Sequence, residues 1–439
     1  LGLVVMLRNR MMDIITKRLM KVWVDLLLLG TKQYGFVPGK GTDHLRFIGM
    51  VISELAYLWR MPIAQGVEDK KHAFDSPLQT MFGLSQMRFG VPDAIIKLDA
   101  RLNAKGNMMV RTAYGLGWKF HRGMVEDPFG NVCGNGQGGV QGGTDSPLKY
   151  TMHSDFLNTH WDDAVSGVAI RTSGWRYKFM TRGSFADDVS VIEGNAQELS
   201  RFFARSAETA LVGPVENRAS KSGAQVKIYN TTRSGFLPKA EVEQVVMPVG
   251  AAGVLVPVPM FEPTESITIL GEKTNLAMFW GDAMAEVRTV SQRAATLIRA
   301  SAPKYEAVRI WKMLLESSVI YKVLLASVSD EELQDATSDA WTALRSTLGL
   351  ARSTSHALTR AALGDISTEC NIRRVTTLIR ILTGADEGSK EAAEAYIHNH
   401  GKLMGVVGTP ALETPAPWSS AYSGTWIHRL HMWMTSVDV

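Results

Sequence analysis

Apolar residues recur at helical spacing in several long segments toward both ends of the chain. The spacing predicts helices, in chain order, over residues 4–29, 43–60, 79–102 (interrupted at residues 90–92), 275–299, 302–325 and 330–400. The part of the chain beyond Gly271 is therefore expected to be almost entirely helical.

The middle of the chain has the shorter alternation that is typical of strands. The segment 177–180 and a second run beginning at Val189 are predicted to pair as a hairpin, with Asp187 and Asp188 at its turn. Residues 245–259 are rich in Val, Pro, Gly and Ala and are predicted to be a loop or linker. The combination predicts an α+β fold.

Composition narrows the class of protein. The 439 residues allow two or three domains, and the 45% hydrophobic content allows a sizeable core. The net charge of +4 and the pI near 8.9 are typical of a protein with one phosphate-binding groove. Two cysteines, Cys133 and Cys370, are too few for a disulfide framework. No membrane span or signal peptide is expected, so the predicted location is intracellular, reducing and not secreted.

Paired aspartates are the first candidate for chemistry. Carboxylates are hard oxygen ligands that bind Mg²⁺ together with substrate phosphates. Two such ions about 3.5–4 Å apart can hold the attacking and leaving oxygens of a phosphoryl displacement. Asp187 and Asp188 fit this chemistry, whereas the second pair, Asp162 and Asp163, lies in a polar stretch and is expected to be a solvated turn.

A third carboxylate and an aromatic ring precede this pair. Asp69 is predicted to end a short buried strand, which would bring it beside the hairpin turn. Phe74 lies five residues further on, where its ring could close a nucleotide pocket and crowd a ribose 2′-hydroxyl. The alternative is that Phe74 belongs to the core and that Asp75 caps a helix.

A glycine-rich loop lies between these two motifs. Residues 138–143 contain Gln141 and Gly142, and Ser146-Pro147 then opens a helical pattern. Glycines permit close backbone approach, so the loop could lie against a template base or an incoming nucleotide. The alternative is a flexible loop without a binding role.

In this order the motifs resemble the reverse transcriptase domain of non-LTR (LINE-type) retrotransposons. The family shows Q-F/Y-G-F-x-P-G-x-x-T, D-x-K-K-A-F-D, Q-G-x-x-x-S-P, F/Y-A-D-D, G-x-x-x-N…K and L-G. The matching segments here begin at Gln33, Asp69, Gln141, Phe185, Gly213 and Leu270. The resemblance runs from the first residue to about residue 385.

The resemblance implies a right-hand polymerase, with fingers and palm carrying an antiparallel sheet, a helical thumb and a helical C-terminal extension. The corresponding segments are residues 1–260 for fingers and palm, 261–345 for primer grip and thumb, and 346–439 for the extension. The implied activity is RNA-directed DNA polymerase, in which two Mg²⁺ ions, or Mn²⁺ in their place, support nucleotidyl transfer. The implied partners are an RNA template, a DNA primer and dNTPs, without a membrane, in the nucleus or an organelle.

The resemblance also implies roles for particular residues. Asp69, Asp187 and Asp188 would hold the metal ions, and Phe74 would favour deoxynucleotides. Gln141, Gly142 and Lys221 would contact the nucleotide, and Leu270 and Gly271 would form the primer grip. Candidate phosphate contacts on the thumb are Arg288, Arg293, Lys304 and Lys312, which could equally form a solvated helix face.

The departures from the family pattern suggest a second function. The chain opens at Leu1, where the family's Arg-Pro-Ile motif should have ended. The missing initiator methionine is expected to reflect a fragment, a processed product or an incomplete gene model. Thr144 stands where the family has proline. The chain could therefore be a domesticated, catalytically silent RNA-binding or structural subunit of a ribonucleoprotein, with partners on its C-terminal extension. Trp418, Trp426 and Trp433 of that extension are expected to pack against a domain or partner. A viral RNA-dependent RNA polymerase is a third reading.

Overall fold

A five-stranded sheet and the helices on its two faces form the centre of the structure. The computed structural model describes residues 2–26, 28–30, 32–71, 73, 77–104, 107–112, 115–121, 125–126, 132–133, 146–172, 175–179, 182–212, 216–232, 234–250, 252–300, 303–351, 354–403 and 425–437. The predicted mixture of helices and sheet is confirmed for these residues.

The strands are β1 (Ile63–Glu68), β2 (Lys70–Lys71), β3 (Asn107–Thr112), β4 (Gly115–His121), β5 (Val125–Glu126), β6 (Val132–Cys133), β7 (Val168–Thr172), β8 (Trp175–Phe179), β9 (Arg182–Phe185), β10 (Asp188–Glu193), β11 (Glu216–Asn217), β12 (Gly223–Lys227), β13 (Val246–Val249), β14 (Val254–Pro257), β15 (Met260–Phe261), β16 (Ile267–Ile269) and β17 (Glu272–Thr274).

The helices are α1 (Gly2–Asp25), α2 (Thr42–Leu58), α3 (Gln79–Arg88), α4 (Asp93–Ala104), α5 (Ser146–Trp161), α6 (Ala196–Val212), α7 (Gly281–Ala300), α8 (Lys304–Ile310), α9 (Ser317–Val323), α10 (Asp330–Ala336), α11 (Ser338–Leu348), α12 (His356–Leu363), α13 (Ile366–Thr383), α14 (Glu387–Leu403) and α15 (Trp426–Ser436). A π-helical segment, Trp311–Glu316, joins α8 to α9.

The central sheet has the strand order β15-β12-β1-β10-β9. Its pairs are antiparallel, except that β15 runs parallel to β12. Strand β10 pairs with β9, whose last residue, Phe185, faces Asp188. The sequence-based prediction that residues 177–180 form the first strand of this hairpin is wrong, because β8 pairs with β7 instead.

Helices cover both faces of the sheet because its strands carry apolar residues on both sides. On one face, α5 and α6 bury Trp161, Phe202 and Phe203 against β1 and β10. On the other face, α2 buries Phe47 and Ile52. The tip of the β9–β10 hairpin therefore projects from a sheet that is held from both sides.

A second helical bundle follows the β16–β17 hairpin. Helices α7 to α11 share one apolar core, which also includes Ile366 and Cys370 from the chain beyond. Residues 245–259, predicted to be a loop, instead contain the β13–β14 hairpin. Its residues Val245 and Met247 are buried against α6. Within the described residues, no helix has the length and apolar character to cross a membrane.

The last helices pack onto α2. Trp426 is fully buried and Trp433 partly buried in the core that α2 shares with α14. Of the two predicted possibilities, a domain or a partner, these two tryptophans thus pack against a domain of the same chain. Trp418 lies outside the described residues. The carboxylate of Glu54 joins the three helices: it accepts hydrogen bonds from the Tyr396 hydroxyl and from the Trp426 backbone N–H.

The buried carboxylate of Glu54 predicts pH-dependent stability. Burial raises the pKa of Glu54 to about 8, against the opposing Trp426 hydrogen bond and the charge of Arg374. The pKa of Glu54 is higher in the folded chain than in the unfolded chain. The stability that Glu54 contributes is therefore fully present below about pH 4.5 and is lost as the pH rises toward 8. Raising the pH from 5 to 9 should lower the free energy of unfolding of the parent by several kcal/mol more than that of the Glu54→Gln variant.

Urea unfolding across that pH range measures the effect. A parent and variant that lose stability in parallel as pH rises would show that Glu54 does not carry this dependence.

Candidate active site

Strand register places Asp69 opposite Asp188. In the antiparallel pair of β1 and β10, Glu68 faces Val189, so one step further along brings Asp69 to Asp188 at the end of the ladder. The ladder itself ends at Glu68 and Val189, and Asp69 and Asp188 are the next residues beyond it. Asp187 lies beside them in the two-residue turn between β9 and β10. The structure thus brings together the three aspartates that the sequence singled out.

The backbone of Asp69 is fixed by the chain that precedes β12. Its N–H donates to Ser222 Oγ at 3.1 Å, and its carbonyl oxygen accepts the Arg218 N–H at 3.0 Å. The turn opposite is also constrained, since Ala186 has a φ of 57° in the left-handed region, which few non-glycine residues adopt. Both sides of the site are therefore held by backbone contacts.

The carboxylates share one electrostatic environment. Burial raises the pKa of Asp187, and the charge of Asp69 adds to the rise. Although the Asp188 side chain reaches solvent, burial of one side raises its pKa to about 6, with further contributions from Asp187 and Asp69. Converging negative charges of this kind favour either a bound proton or a bound cation.

The donor chemistry suits a divalent cation, but the ligand set is open. Carboxylate oxygens are the hard ligands that Mg²⁺ prefers. In the part of the chain that the structure describes, however, no group of three His, Cys, Asp or Glu residues is close enough to hold one metal ion. Asp69, Asp187 and Asp188 therefore converge without forming a closed coordination sphere.

The segment that begins at Gln33 lies directly behind the aspartate turn. Gln33 forms a parallel bridge with Ser184 on β9, and the Tyr34 N–H donates to the Ser184 carbonyl at 2.9 Å. The Ser184 hydroxyl donates to Gln33 Oε1 at 2.5 Å. Phe36 brings its ring to 6.3 Å from the ring of Phe185. The segment that begins at Gln33 thus extends the sheet beside the turn.

A buried lysine underneath the site was not assigned a role from sequence. The Lys70 ammonium donates to Ser206 Oγ and Asn217 Oδ1, each at 2.7 Å, and pairs with Glu68 at 2.9 Å. Burial lowers the pKa of Lys70, and the charge of Glu68 opposes that shift. Lys70 and Asn217, which belong to two of the motifs, therefore fix β2 against β11 beneath Asp69.

Tyr150 is a second site residue that sequence reasoning missed. Its ring is buried against Ala73 and Ala186, and burial, followed by the charges of Asp187 and Glu68, raises its pKa well above the usual value. The ring of His153, one turn along α5, lies 6.4 Å away. The apolar pattern of α5 predicts that Tyr150 is a core residue. Only its spacing from Ser146 could have indicated that Tyr150 lies near the aspartates.

The predicted primer grip is a tight hairpin tip. Leu270 and Gly271 connect β16 to β17, with φ values of 51° and 81°. Two positive φ values are typical of a type I′ turn, in which leucine is unfavourable. Tyr321 on α9 donates its hydroxyl to the Leu270 carbonyl at 2.5 Å. Arg46 on α2 donates to Glu272 and to the Tyr321 carbonyl, which ties the hairpin to two helices.

An open groove of about 380 Å³ lies beside the segment that supports the turn. Its apolar floor includes Met20, Phe36 and Pro147, and Lys17 and Lys21 of α1 line its edge. The ring of Phe36, which lines the groove, lies 6.3 Å from the ring of Phe185, the last residue before the aspartate turn.

The remaining predicted residues differ in where they lie. Phe74, Gln141 and Gly142 lie outside the described residues. Lys221 is exposed on the turn that precedes β12. Three of the four thumb cations make contacts within the chain: Arg288 with Asp335, Lys304 with the Leu348 carbonyl, and Lys312 with Glu316; Arg293 is exposed on α7.

Comparison with known proteins finds similar solved structures. Apo telomerase from Candida tropicalis is 10% identical with a TM-score of 0.42, and the match covers 94% of this chain and 61% of that chain. Telomerase from Candida tropicalis in complex with the TWJ fragment of telomeric RNA is 10% identical with a TM-score of 0.40, covering 94% and 56%. The corresponding complex from Candida albicans is 10% identical with a TM-score of 0.36, covering 89% and 58%.

This chain therefore spans about six-tenths of the length of those telomerase chains. No protein-family model matches the chain, and no curated protein matches it.

Proposed function

We propose that the chain is an RNA-directed DNA polymerase of reverse transcriptase type, with a right-hand arrangement of fingers, palm and thumb. The observation that carries the proposal is the convergence of Asp69, from the end of β1, with Asp187 and Asp188, from the β9–β10 turn. The LINE-type relationship rests on the order and spacing of the motifs, and a nuclear or organellar location belongs to the same proposal.

In this proposal the three aspartates would hold Mg²⁺ or Mn²⁺ with one or two carboxylates on each ion, and substrate phosphates would complete the open ligand set. The ions would supply charge neutralisation for a triphosphate and its leaving pyrophosphate. The chain's own part is to position these groups. The Asp69 backbone is fixed by Ser222 and Arg218, and the turn is fixed by the segment that begins at Gln33. Positioning of this kind accounts for most of the catalysis in phosphoryl transfer.

The groove beside Phe36 supports a nucleic-acid partner. Its exposed aromatic ring can stack on a base, and Lys17 and Lys21 can neutralise phosphates. We propose that a single-stranded RNA template approaches the aspartates along it. The tip at Leu270 and Gly271 would support a DNA primer, while Phe74, Gln141, Gly142 and Lys221 would contact a dNTP.

Primer extension on an RNA template, with Mg²⁺ and dNTPs, tests the proposal. We expect the Asp187→Asn variant to lose at least about a thousandfold in extension rate, because it removes a charge from the metal site. Asp163→Asn is the matched control, since Asp163 is an exposed aspartate in the turn that follows α5 and is not part of the predicted metal site. Equal activity of parent and Asp187→Asn would refute the assignment.

The open ligand set among the described residues favours one alternative, an RNA-binding subunit without catalysis. That function predicts no extension by the parent or either variant, with binding of the RNA template retained by all three. Gel-shift titration with the same template decides between the two functions.

A further inference from the structure

We propose that the helices at the C-terminal end of the chain brace the aspartate turn, through a contact between Tyr34 and Asp386. Asp386 is thereby a positioning residue for a site that lies about 200 positions earlier in sequence. The activity part of this inference rests on the proposed function, whereas its structural part does not.

The inner side of the brace is a set of backbone contacts. The Tyr34 N–H donates to the Ser184 carbonyl at 2.9 Å, and the Ser184 N–H donates to the Lys32 carbonyl at 3.0 Å. Ser184 lies two residues before Ala186, the first residue of the turn. Because backbone dihedral angles leave little freedom over two residues of a paired strand, a displacement of Tyr34 moves the turn.

The outer side of the brace is a buried polar cluster. The Tyr34 hydroxyl donates to Asp386 Oδ2 at 3.3 Å, and the Lys40 ammonium lies 3.0 Å from Asp386 Oδ1 and 5.0 Å above the Tyr34 ring. The Ser389 N–H also donates to Asp386 Oδ2, at 3.1 Å, so Asp386 caps α14. One carboxylate thus joins the start of α14 to the segment behind the turn.

Burial makes this cluster sensitive to the loss of one partner. Tyr34 is 2% exposed and Asp386 5% exposed. A buried polar group that loses its partner retains its desolvation penalty, so the remaining groups must rearrange. A second ion pair, between Arg380 of α13 and Asp43 at the start of α2, holds the same helices against α2. The C-terminal helices therefore bind α2 and the turn-supporting segment together.

Hydrogen exchange of the backbone amides in the turn tests the brace in the full chain. We expect the Tyr34→Phe and Asp386→Asn variants each to speed exchange at residues 186–189 by about tenfold. Asp386→Asn removes the carboxylate charge that faces Lys40, and Tyr34→Phe removes the hydroxyl, so both changes disturb one buried cluster. Their effects in the double variant should therefore be less than additive. Asparagine at 386 keeps the helix cap, so α14 remains formed.

Tyr396→Phe is the matched control. Like Tyr34→Phe, it removes a buried tyrosine hydroxyl. The Tyr396 hydroxyl lies on α14, however, and donates to Glu54 and not to Asp386. We expect it to lower the melting temperature without changing exchange at the turn. Unchanged exchange in Tyr34→Phe and Asp386→Asn, or an equal increase in Tyr396→Phe, would overturn the proposal.

The Mg²⁺ dependence of primer extension provides a second measurement, which a general loss of stability would not change. In the two brace variants the Mg²⁺ concentration for half-maximal extension should rise about fivefold, with the KM for primer–template unchanged. A rise in that KM alone would contradict a role at the aspartates. If the parent shows no extension, the proposed function fails, and the exchange experiment still decides the brace.

Discussion

Replacement of Gly35 by alanine should lower primer extension by about a hundredfold while leaving the chain folded. A Cβ atom at position 35 would lie 2.3 Å from the Ala186 nitrogen and 3.1 Å from the Phe185 carbonyl carbon. All of these neighbours are backbone atoms, so no flexible side chain can move aside.

The turn itself must therefore shift, together with Asp187. A displacement of about 1 Å at reacting groups can cost a hundredfold in rate. The accompanying loss of stability should be smaller, about 1–3 kcal/mol, as is usual when one methyl group is forced into a packed site.

Gly49→Ala is the control for this prediction. Gly49 lies inside α2, and among the described residues outside that helix the one atom within 4 Å of a Cβ there is Ile192 Cδ1, at 4.0 Å. Alanine is favoured over glycine inside a helix, so stability should rise by up to about 1 kcal/mol with extension unchanged. Full activity of Gly35→Ala, alongside loss in Asp187→Asn, would show that the turn does not depend on this close contact.

The convergence of the aspartates could be predicted from sequence because strand ends carry positional information. Asp69 follows the short apolar run of β1, and Asp188 begins the run of β10. Two antiparallel strands that lie side by side bring such positions to one edge of a sheet. The prediction needed only element boundaries, which local patterns provide.

The partner of β10 could not be predicted in the same way. Residues 175–179 and Arg182–Phe185 both have strand character, and local pattern does not choose between them. The choice depends on which segment the tight turn at Ala186 can reach. The β13–β14 hairpin was missed for a related reason, because its prolines and glycines are typical of loops, whereas burial of Val245 and Met247 against α6 outweighs that tendency.

Long-range polar contacts were beyond sequence reasoning altogether. Tyr34 and Asp386 are 352 residues apart, and Lys70 meets Asn217 across 147 residues. Each of these side chains alone is typical of a surface, and only tertiary packing makes it a buried partner. The sequence therefore predicted which residues could do chemistry, but not which residues hold them in place.

Arg374 is expected to be among the most important residues for stability. It lies on α13 and is 3% exposed. Its guanidinium donates to the carbonyl oxygens of Val323 at 3.2 Å, Leu324 at 3.2 Å and Ala326 at 2.7 Å. These carbonyls lie at the end of α9 and just beyond it, where intrahelical donors run out. The Val323 carbonyl also accepts the Ala326 N–H, and the Leu324 carbonyl also accepts the Trp426 indole N–H.

The Arg374→Ala variant should lose about 3–4 kcal/mol of free energy of unfolding, measured from urea midpoints. Several charge-assisted hydrogen bonds disappear at once, and each carbonyl loses its charged donor. The Oδ1 atom of Asn371, which accepts a further hydrogen bond from Arg374 at 2.9 Å, also loses this donor. Hydrogen exchange should quicken first at the end of α9, because that is where the donors are lost.

The neighbouring Arg373 is a control of the same residue type on the same helix. Its side chain is 62% exposed and pairs with Glu369 at 3.1 Å, one turn away on the same helix. Such exposed pairs contribute about 0.3–0.5 kcal/mol, so Arg373→Ala should be close to neutral. Equal losses in the two variants would mean that helix propensity or total charge, and not the buried hydrogen bonds, determines how α13 holds α9 in place.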